Sequence, residues 1–387
     1  MGRFRDALAR DGLAAIAEVK RRSPSAGDLR PGADPAKLAA QFAGAGAAAI
    51  SVLVDERFGG SIEDLRAARA ATAAPLLAKG FFTEELDLLK LKVAGADAAL
   101  VILRDVDDQR AAALLSYARE LGLEILVEAH DADELARAEA LGAPVIGINA
   151  RDLGSFEIDR RTQLELITRL RRHDAVVVAE SGVQTRAHGA AAELAGADAV
   201  LVGSALMQAD DPPAKLRELI SRPLVKVCGL TRQVDVDAAV DAGADMLGFI
   251  LAEQSPRRAP EVLRVPSDRL SVAVFVGEAE ADGGADLVQL YEREAGRVRG
   301  REAVLLREGE PVAHVVDLPW DEHDPLHLQR AAAREGRVML AGRLGPDNVR
   351  EAVRAVSPWA VDAASQLERE PGIKDHEKVR AFVAAAR

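Results

Sequence analysis

Along the first 220 residues, short runs of β-branched and aliphatic residues recur, each followed by a turn and then by an Ala, Leu and Arg pattern of helical period. Eight such runs can be counted, at 15–20, 48–55, 75–81, 98–104, 124–130, 145–152, 175–182 and 199–207. Every gap is long enough for the right-handed helical crossover that parallel strands require, and 213–220 predicts a closing helix. Eight strands alternating with helices over this length predict a TIM (β/α)8 barrel. A second set of eight runs follows Ser221, Arg222 and Pro223, at 224–229, 246–252, 270–277, 285–292, 302–307, 313–320, 338–344 and 359–365. Its spacing is irregular: seven residues separate Gly277 from Ala285, and nine separate Glu292 from Glu302. A parallel crossover needs about a dozen residues. The pattern therefore predicts two or three missing outer helices, with the fifth and sixth runs able to pair as a hairpin. The expected fold is α/β, two TIM-type barrels in tandem over 1–220 and 221–387, the second shortened.

Composition agrees with two domains, since 387 residues with 49% hydrophobic content exceed what one core holds, about 250 residues. A formal charge of -12 argues against nucleic acid or an anionic membrane as partner, because either would need a basic stripe. Any anionic substrate must be held by local positive groups. Cys228 is the only cysteine, so no internal disulfide forms and a reducing cytoplasm is the natural compartment. The first residues are polar, and the longest weakly polar run, 43–54, is too short to cross a bilayer. A cytoplasmic protein, expected as a monomer and binding small molecules only, follows.

The polar residues that end the runs carry the chemistry, because a TIM barrel works at the C-terminal ends of its strands. They are Glu18 and Lys20, Lys79, Glu128, Asn149 and Arg151, Glu180 and Ser181, then Gly203 and Ser204. Residues two apart on a strand share a face, so Glu18 with Lys20, and Asn149 with Arg151, project together into the barrel mouth. Opposed charges there, with Ser-Gly and Gly-Ser turns after the last two strands, point to acid–base work on a phosphorylated substrate. The plain alternative is a set of structural ion pairs capping the barrel, against which stands the desolvation cost of burying two lysines.

These residues sit in motifs that resemble indole-3-glycerol-phosphate synthase along nearly the whole half: Glu18-Val19-Lys20-Arg21-Arg22-Ser23-Pro24-Ser25, Leu76-Leu77-Ala78-Lys79, Leu126-Val127-Glu128, Gly147-Ile148-Asn149-Ala150-Arg151-Asp152, Glu180-Ser181-Gly182 and Gly203-Ser204-Ala205. The resemblance implies decarboxylation and ring closure of an anthranilate-bearing deoxyribulose phosphate, then dehydration to the indole, with no metal or organic cofactor. It implies Lys79 as general acid for ring closure, Lys20 and Glu18 in dehydration, and Glu128 as base or charge stabiliser. Asn149, Arg151 and Glu180 would orient the substrate, with Ser23 beside them, while Ser181, Gly182, Gly203 and Ser204 would take the phosphate. Three positions depart from the family: a shorter N-terminal extension, a single Phe58 where two aromatics are common, and Gly80 for a frequent Asp.

The second half resembles phosphoribosylanthranilate isomerase through Lys226-Val227-Cys228-Gly229-Leu230-Thr231, Ser255-Pro256-Arg257-Arg258, Val288-Gln289-Leu290, Ala341-Gly342-Arg343-Leu344 and Pro371-Gly372-Ile373-Lys374-Asp375. That likeness implies an Amadori rearrangement with Cys228 as general base, Asp317 as general acid and Arg257 steadying the substrate. The glycine-rich phosphate loop expected after the sixth strand is replaced by 318–323, Gly342-Arg343 stands for two glycines, Tyr291 for a His, and Gln366 for a phosphate-facing Gly. Arg343 is the candidate to hold the phosphate instead. His323 and His327, four apart among carboxylates, admit a metal-site reading; a helix start capped by Asp324 is the simpler account. Three functions stay open: a two-step enzyme, a synthase fused to a non-catalytic scaffold, or an unrelated lysine Schiff-base aldolase or lyase.

Overall fold

The computed structural model describes residues 2–23, 27–152, 154–170, 174–277, 282–292, 300–319 and 322–387. The chain divides into two compact units, Met1–Gln184 with His188–Ile220, and Thr185–Ala187 with Ser221–Arg387.

In the first unit eight strands close a barrel: β1 (Ala14–Val19), β2 (Ala49–Leu53), β3 (Leu76–Lys79), β4 (Ala98–Ile102), β5 (Glu124–Ala129), β6 (Val145–Asn149), β7 (Val176–Glu180) and β8 (Ala199–Val202). All pairings are parallel, and β1 closes against β8. Helices α1 (Arg3–Leu8), α2 (Pro35–Gly44), α3 (Ile62–Ala71), α4 (Glu85–Val93), α5 (Asp108–Glu120), α6 (Ala132–Ala140), α7 (Arg160–Arg169), α8 (Arg186–Ala195), α9 (Ser204–Gln208) and α10 (Pro212–Ile220) complete it. Acidic and hydroxyl caps start many of the crossover helices at fixed points. Asp34 accepts from two N–H groups of α2, Ser61 and Asp64 form a reciprocal capping box on α3, and Asp107, Asp131 and Asp159 cap α5, α6 and α7.

Strand alternation then sorts the side chains. Ala15, Ile50, Leu76, Val101 and Val127 face outward into the helix layer, whereas Ile16, Leu77, Leu100, Leu126, Val178 and Leu201 fill the barrel floor with Phe4 and Leu8 of α1. Two residues further along that inward stripe stand Glu18, Lys79, Glu128 and Glu180, so one pleat supplies an apolar floor and a charged top.

The second unit is also a closed barrel of eight: β9 (Leu224–Val227), β10 (Met246–Ile250), β11 (Leu270–Val276), β12 (Leu287–Tyr291), β13 (Glu302–Arg307), β14 (Glu310–Val316), β15 (Val338–Leu340) and β16 (Ala360–Ala363). It carries α11 (Gln233–Asp241), α12 (His327–Ala332), α13 (Val349–Val356) and α14 (His376–Ala386). Among the described residues the connections after β10, β11, β12 and β13 hold no helix, more than the two or three losses expected from spacing. The hairpin expectation holds: β13 is antiparallel to both β12 and β14, while the other pairings are parallel. Its turn uses Glu308 at φ 52° and Gly309 at φ 86°, the doubly left-handed form that matches strand twist in a two-residue hairpin. One local expectation fails, because Asp324 caps a turn through the N–H of Leu326 and α12 begins later, at His327. No helix is long and apolar enough to cross a membrane.

Candidate functional site

At the C-terminal rim of the first barrel lies a cavity of about 530 Å³. Glu18, Lys20, Ser23, Lys79, Glu128, Asn149 and Arg151 line one part of it, and Ser181, Gly182, Gly203 and Ser204 another. Every candidate from the first half therefore faces one void except Glu180, which is fully buried beneath it and accepts a hydrogen bond from Lys79. Pro24 and Ser25 of the first motif, and residues 320 and 321 of the segment 318–323, lie outside the described residues.

Lys79 is the hub. Its Nζ contacts Glu180, lies 3.6 Å from Glu128 Oε2 and 3.9 Å from Glu18 Oε2, while Lys20 Nζ is 2.8 Å from Glu18 Oε1. Burial alone would discharge the Lys79 amine, but Glu180, Glu128 and Glu18 outweigh it and hold the cation. Burial would likewise protonate Glu128, yet Lys79, His130 and Asn149 bring it down to about 2. Glu18 is kept ionised against burial by Lys20 and Lys79. Glu180 goes the other way: burial pushes it up to about 8, with Lys79 opposing and Glu128 adding. Lys79 and Lys20 thus face Glu18, Glu128 and Glu180, and desolvation worth several kcal/mol per ion is offset by these opposed partners.

Glycines make room for this cluster. A Cβ at Gly147 would lie 2.0 Å from Glu180 Oε1, and one at Gly203 would lie 2.3 Å from Glu18 Oε1. Asn149 spans the rim, donating Nδ2 to Glu128 Oε1 at 3.1 Å and accepting the Arg151 N–H at 3.0 Å. Ser181 and Gly182 are both left-handed, at φ 68° and 74°, which turns the chain sharply after β7. The opposite wall is apolar. Phe58 and Phe81 stack at 6.3 Å, Arg57 lies 4.0 Å over the Phe81 ring, and Phe156 and Ile158 are exposed on the loop after β6.

Sequence reasoning passed over Arg57, Phe81, Phe156 and Ile158, and also His130, whose ring sits between Glu128 and Glu134. For Phe81 and His130 a signal existed, since each stands two positions beyond a named residue, Lys79 or Glu128. The loop residues carried none, because their placement depends on the path taken after β2 and β6.

In the second barrel the same rule places Lys226 and Cys228, Gln289 and Tyr291, Asp317 and Asp362 toward the interior. Gly248 admits the first pair, for a Cβ there would lie 2.7 Å from Cys228 Sγ. Lys226 Nζ donates to Gln289 Oε1 at 2.7 Å and Asp362 Oδ2 at 2.9 Å. Gln289 Nε2 donates to the Tyr291 hydroxyl at 2.8 Å, which donates to Asp317 Oδ2 at 2.7 Å. Cys228 is 5% exposed, and burial pushes its thiol up, with Lys226 opposing and Asp362 adding.

The void that joins Cys228, Tyr291, Asp317, Gly342, Arg343 and Gln366 is only about 30 Å³. A second cavity of about 410 Å³ shares Arg343 and Gln366 with it and adds Asn348 and Lys378. Arg343 holds a left-handed φ of 57°, a conformation suited to the glycine it replaces, and its side chain donates to the Glu322 carbonyl at 3.1 Å. Arg257 is not brought into the void: it pairs with both oxygens of Glu368 at 2.9 Å, beside Lys374. His327 Nε2 meets the Ala341 carbonyl at 2.9 Å. Among the described residues no group of three or more His, Cys, Asp or Glu could hold a metal.

Fold and rim together define a (β/α)8 enzyme built for proton transfer. Residues 2–219 match the family model of indole-3-glycerol phosphate synthase, and the chain belongs to that family. Residues 324–385 match the model of N-(5'phosphoribosyl)anthranilate (PRA) isomerase. A multifunctional tryptophan biosynthesis protein of Phycomyces blakesleeanus is 31% identical across 97% of this chain, which spans 62% of that protein. Indole-3-glycerol phosphate synthase 2 of Streptomyces coelicolor is 46% identical over 56% of this chain and 84% of its own length. A solved phosphoribosyl anthranilate isomerase of Thermus thermophilus is 27% identical, covering 42% of this chain and 96% of its own, with a TM-score of 0.35.

Proposed function

We propose that this chain catalyses two consecutive steps of tryptophan biosynthesis. The second barrel isomerises N-(5-phosphoribosyl)anthranilate to the carboxyphenylamino-deoxyribulose phosphate, and the first closes that product to indole-3-glycerol phosphate. The synthase reading rests on one observation: the Lys79 ammonium group within 3.9 Å of Glu18 and Glu128, lining a cavity with an apolar wall.

The apolar wall receives the anthranilate ring, and the backbone and hydroxyls of Ser181, Gly182, Gly203 and Ser204 receive the phosphate. As the ring carbon bearing the carboxylate attacks the ketone carbon, Lys79 protonates the carbonyl oxygen, which becomes a hydroxyl. Carbon dioxide leaves and the ring regains aromaticity, with Glu128 balancing positive charge on the ring nitrogen. Lys20 then protonates the departing hydroxyl while Glu18, 2.8 Å away, takes the proton from the adjacent carbon. Asn149 and Arg151 fix the hydroxyls, Ser23 supports that edge, and Glu180 returns a proton to Lys79.

In the isomerase step Asp317 protonates the ribose ring oxygen, and Cys228, once a thiolate beside Lys226, removes the C2 proton from the resulting Schiff base. A void of 30 Å³ holds about one water. Turnover therefore requires Arg343 and Gln366 to swing aside, joining it to the 410 Å³ cavity, where Arg343 captures the phosphate and Arg257 leaves Glu368 for the carboxylate. Gly342 fits the close turn, since a Cβ there would lie 2.3 Å from the Leu318 nitrogen. The protein works in the cytoplasm, which its lone thiol supports, and as a monomer without cofactor, which sedimentation and the activity of chelator-treated protein test.

The experiment supplies purified protein with each substrate separately. Carbon dioxide release with indole absorbance from the deoxyribulose phosphate supports the synthase reading, and absence of both rejects it. Loss of phosphoribosylanthranilate fluorescence reports the isomerase in the same way.

A further inference from the structure

Lys79 cannot serve as a fixed counter-charge, because giving its proton to substrate is its task. During ring closure it becomes a neutral amine between the anions Glu18 and Glu128. Without another cation, Glu128 would gain proton affinity at that moment and compete with the substrate for the proton. His130 is placed to prevent this. Its side chain is 3% exposed, its Nε2 lies 3.1 Å from Glu128 Oε1, and its Nδ1 lies 3.0 Å from Glu134 Oε2.

The second carboxylate is anchored independently of the cavity. Glu134 stands on α6, its N–H bonded to the capping Asp131 at 2.8 Å, and its Oε2 also accepts the His130 backbone N–H at 2.9 Å. Arg104 and Asp105, from the turn Leu103–Asp105, are the other charged groups facing this pair, with Arg104 3.5 Å from Glu134 Oε1. Charges alternate outward from the cavity: Lys79, Glu128, His130, Glu134, Arg104. Against burial, Glu128 and Glu134 raise the imidazole to about 9, so it is charged at neutral pH. Asn149 and His130 both approach Glu128 Oε1, while the buried Oε2 faces Lys79 Nζ at 3.6 Å on the cavity side.

We propose that His130 is a positioning residue of the synthase reaction: a cation locked behind Glu128 that keeps this carboxylate ionised and aimed at the cavity after Lys79 has given up its proton. The inference rests on the synthase reading, and Glu134 belongs to it as the group that keeps His130 charged.

Two variants separate this role from mere packing, through the pH dependence of kcat. In His130→Gln, the acid limb moves up by about one pH unit and kcat falls about tenfold, while KM stays within about twofold. In Glu134→Gln, which touches neither substrate nor Glu128, the alkaline limb set by His130 moves down by about one pH unit or more. Glu180 also titrates near this range, at about 8, but Glu134→Gln does not contact it. Histidine NMR of the unaltered protein gives a reading that no misfolded variant can spoil: one buried imidazole among seven histidines titrates near 9. Variants that lose thermal stability but keep both limbs, a rise in KM alone, or no imidazole titrating above 8 would overturn the proposal. Wild-type protein with no turnover would instead reject the synthase reading beneath it.

Discussion

The two barrels obey one placement rule and end with opposite sites. In each, inward residues two apart near the strand ends bring lysine, carboxylate and polar groups into the rim. In the first, long loops after β2 and β6 raise an apolar wall beside those charges, and about 530 Å³ stays open. In the second, the polar groups satisfy one another from Asp362 through Lys226, Gln289 and Tyr291 to Asp317, and Arg343 and Gln366 leave about 30 Å³. A strand end dictates which groups meet; the connecting loops dictate whether a substrate can meet them.

That contrast can be broken most forcefully at Lys79. Lys79→Met removes the acid and leaves Glu180, Glu128 and Glu18 without their shared cation, so synthase kcat, followed by indole absorbance, should fall by about 10³-fold or more while the isomerase rate, followed by fluorescence, stays unchanged. Cys228→Ala should do the converse, lowering isomerase turnover by about 10²- to 10³-fold and sparing the synthase; equal loss in both assays would contradict the separation of roles. Gly147→Ala sharpens the steric half of the comparison. A methyl 2.0 Å from Glu180 Oε1 must displace that carboxyl, with about 1–3 kcal/mol of destabilisation in chemical unfolding and a lower synthase kcat.

Arg343→Ala should raise isomerase KM about tenfold with kcat little changed, since it removes a phosphate contact felt equally in ground and transition states; an unchanged KM would remove Arg343 from the phosphate site. The smallest effect is on stability. His130 is raised from 6.5 to about 9 on folding, so its contribution is fully present below pH 6.5 and is lost as pH rises through 9. Glu128 is lowered from 4.5 to about 2, so its share is present above pH 4.5 and is lost as pH falls through 2. Calorimetric Tm of His130→Gln should therefore show a weaker alkaline decline than wild type.

Most of this was legible where burial on both strand faces made apolar runs continuous. All sixteen runs correspond to strands, and even the reversed β13 could be suspected from the brief break at Glu308 and Gly309. The charged rim was legible for the same reason, because inward alternation continues past the last apolar residue. What stayed hidden depends on tertiary choice rather than period. The motif around Arg257 gave no hint of its pairing with Glu368, a partner 111 positions away. Asp324 looked like a helix cap, yet its carboxylate closes a turn ahead of α12. The apolar loop residues Phe156 and Ile158 in the first barrel had no periodic neighbour to mark them.

The backward run of β13 opens a route by which the second barrel could change. Its first residues reach the working rim, where Glu302 pairs with Val316 and the Arg301 carbonyl takes the Asp317 N–H at 2.7 Å. Its tip, Glu308 and Gly309, emerges at the far pole, exposed and remote from Cys228 and Asp317. Foreign sequence spliced into that bend would leave the reactive end untouched, which makes the tip a natural port for a reporter peptide.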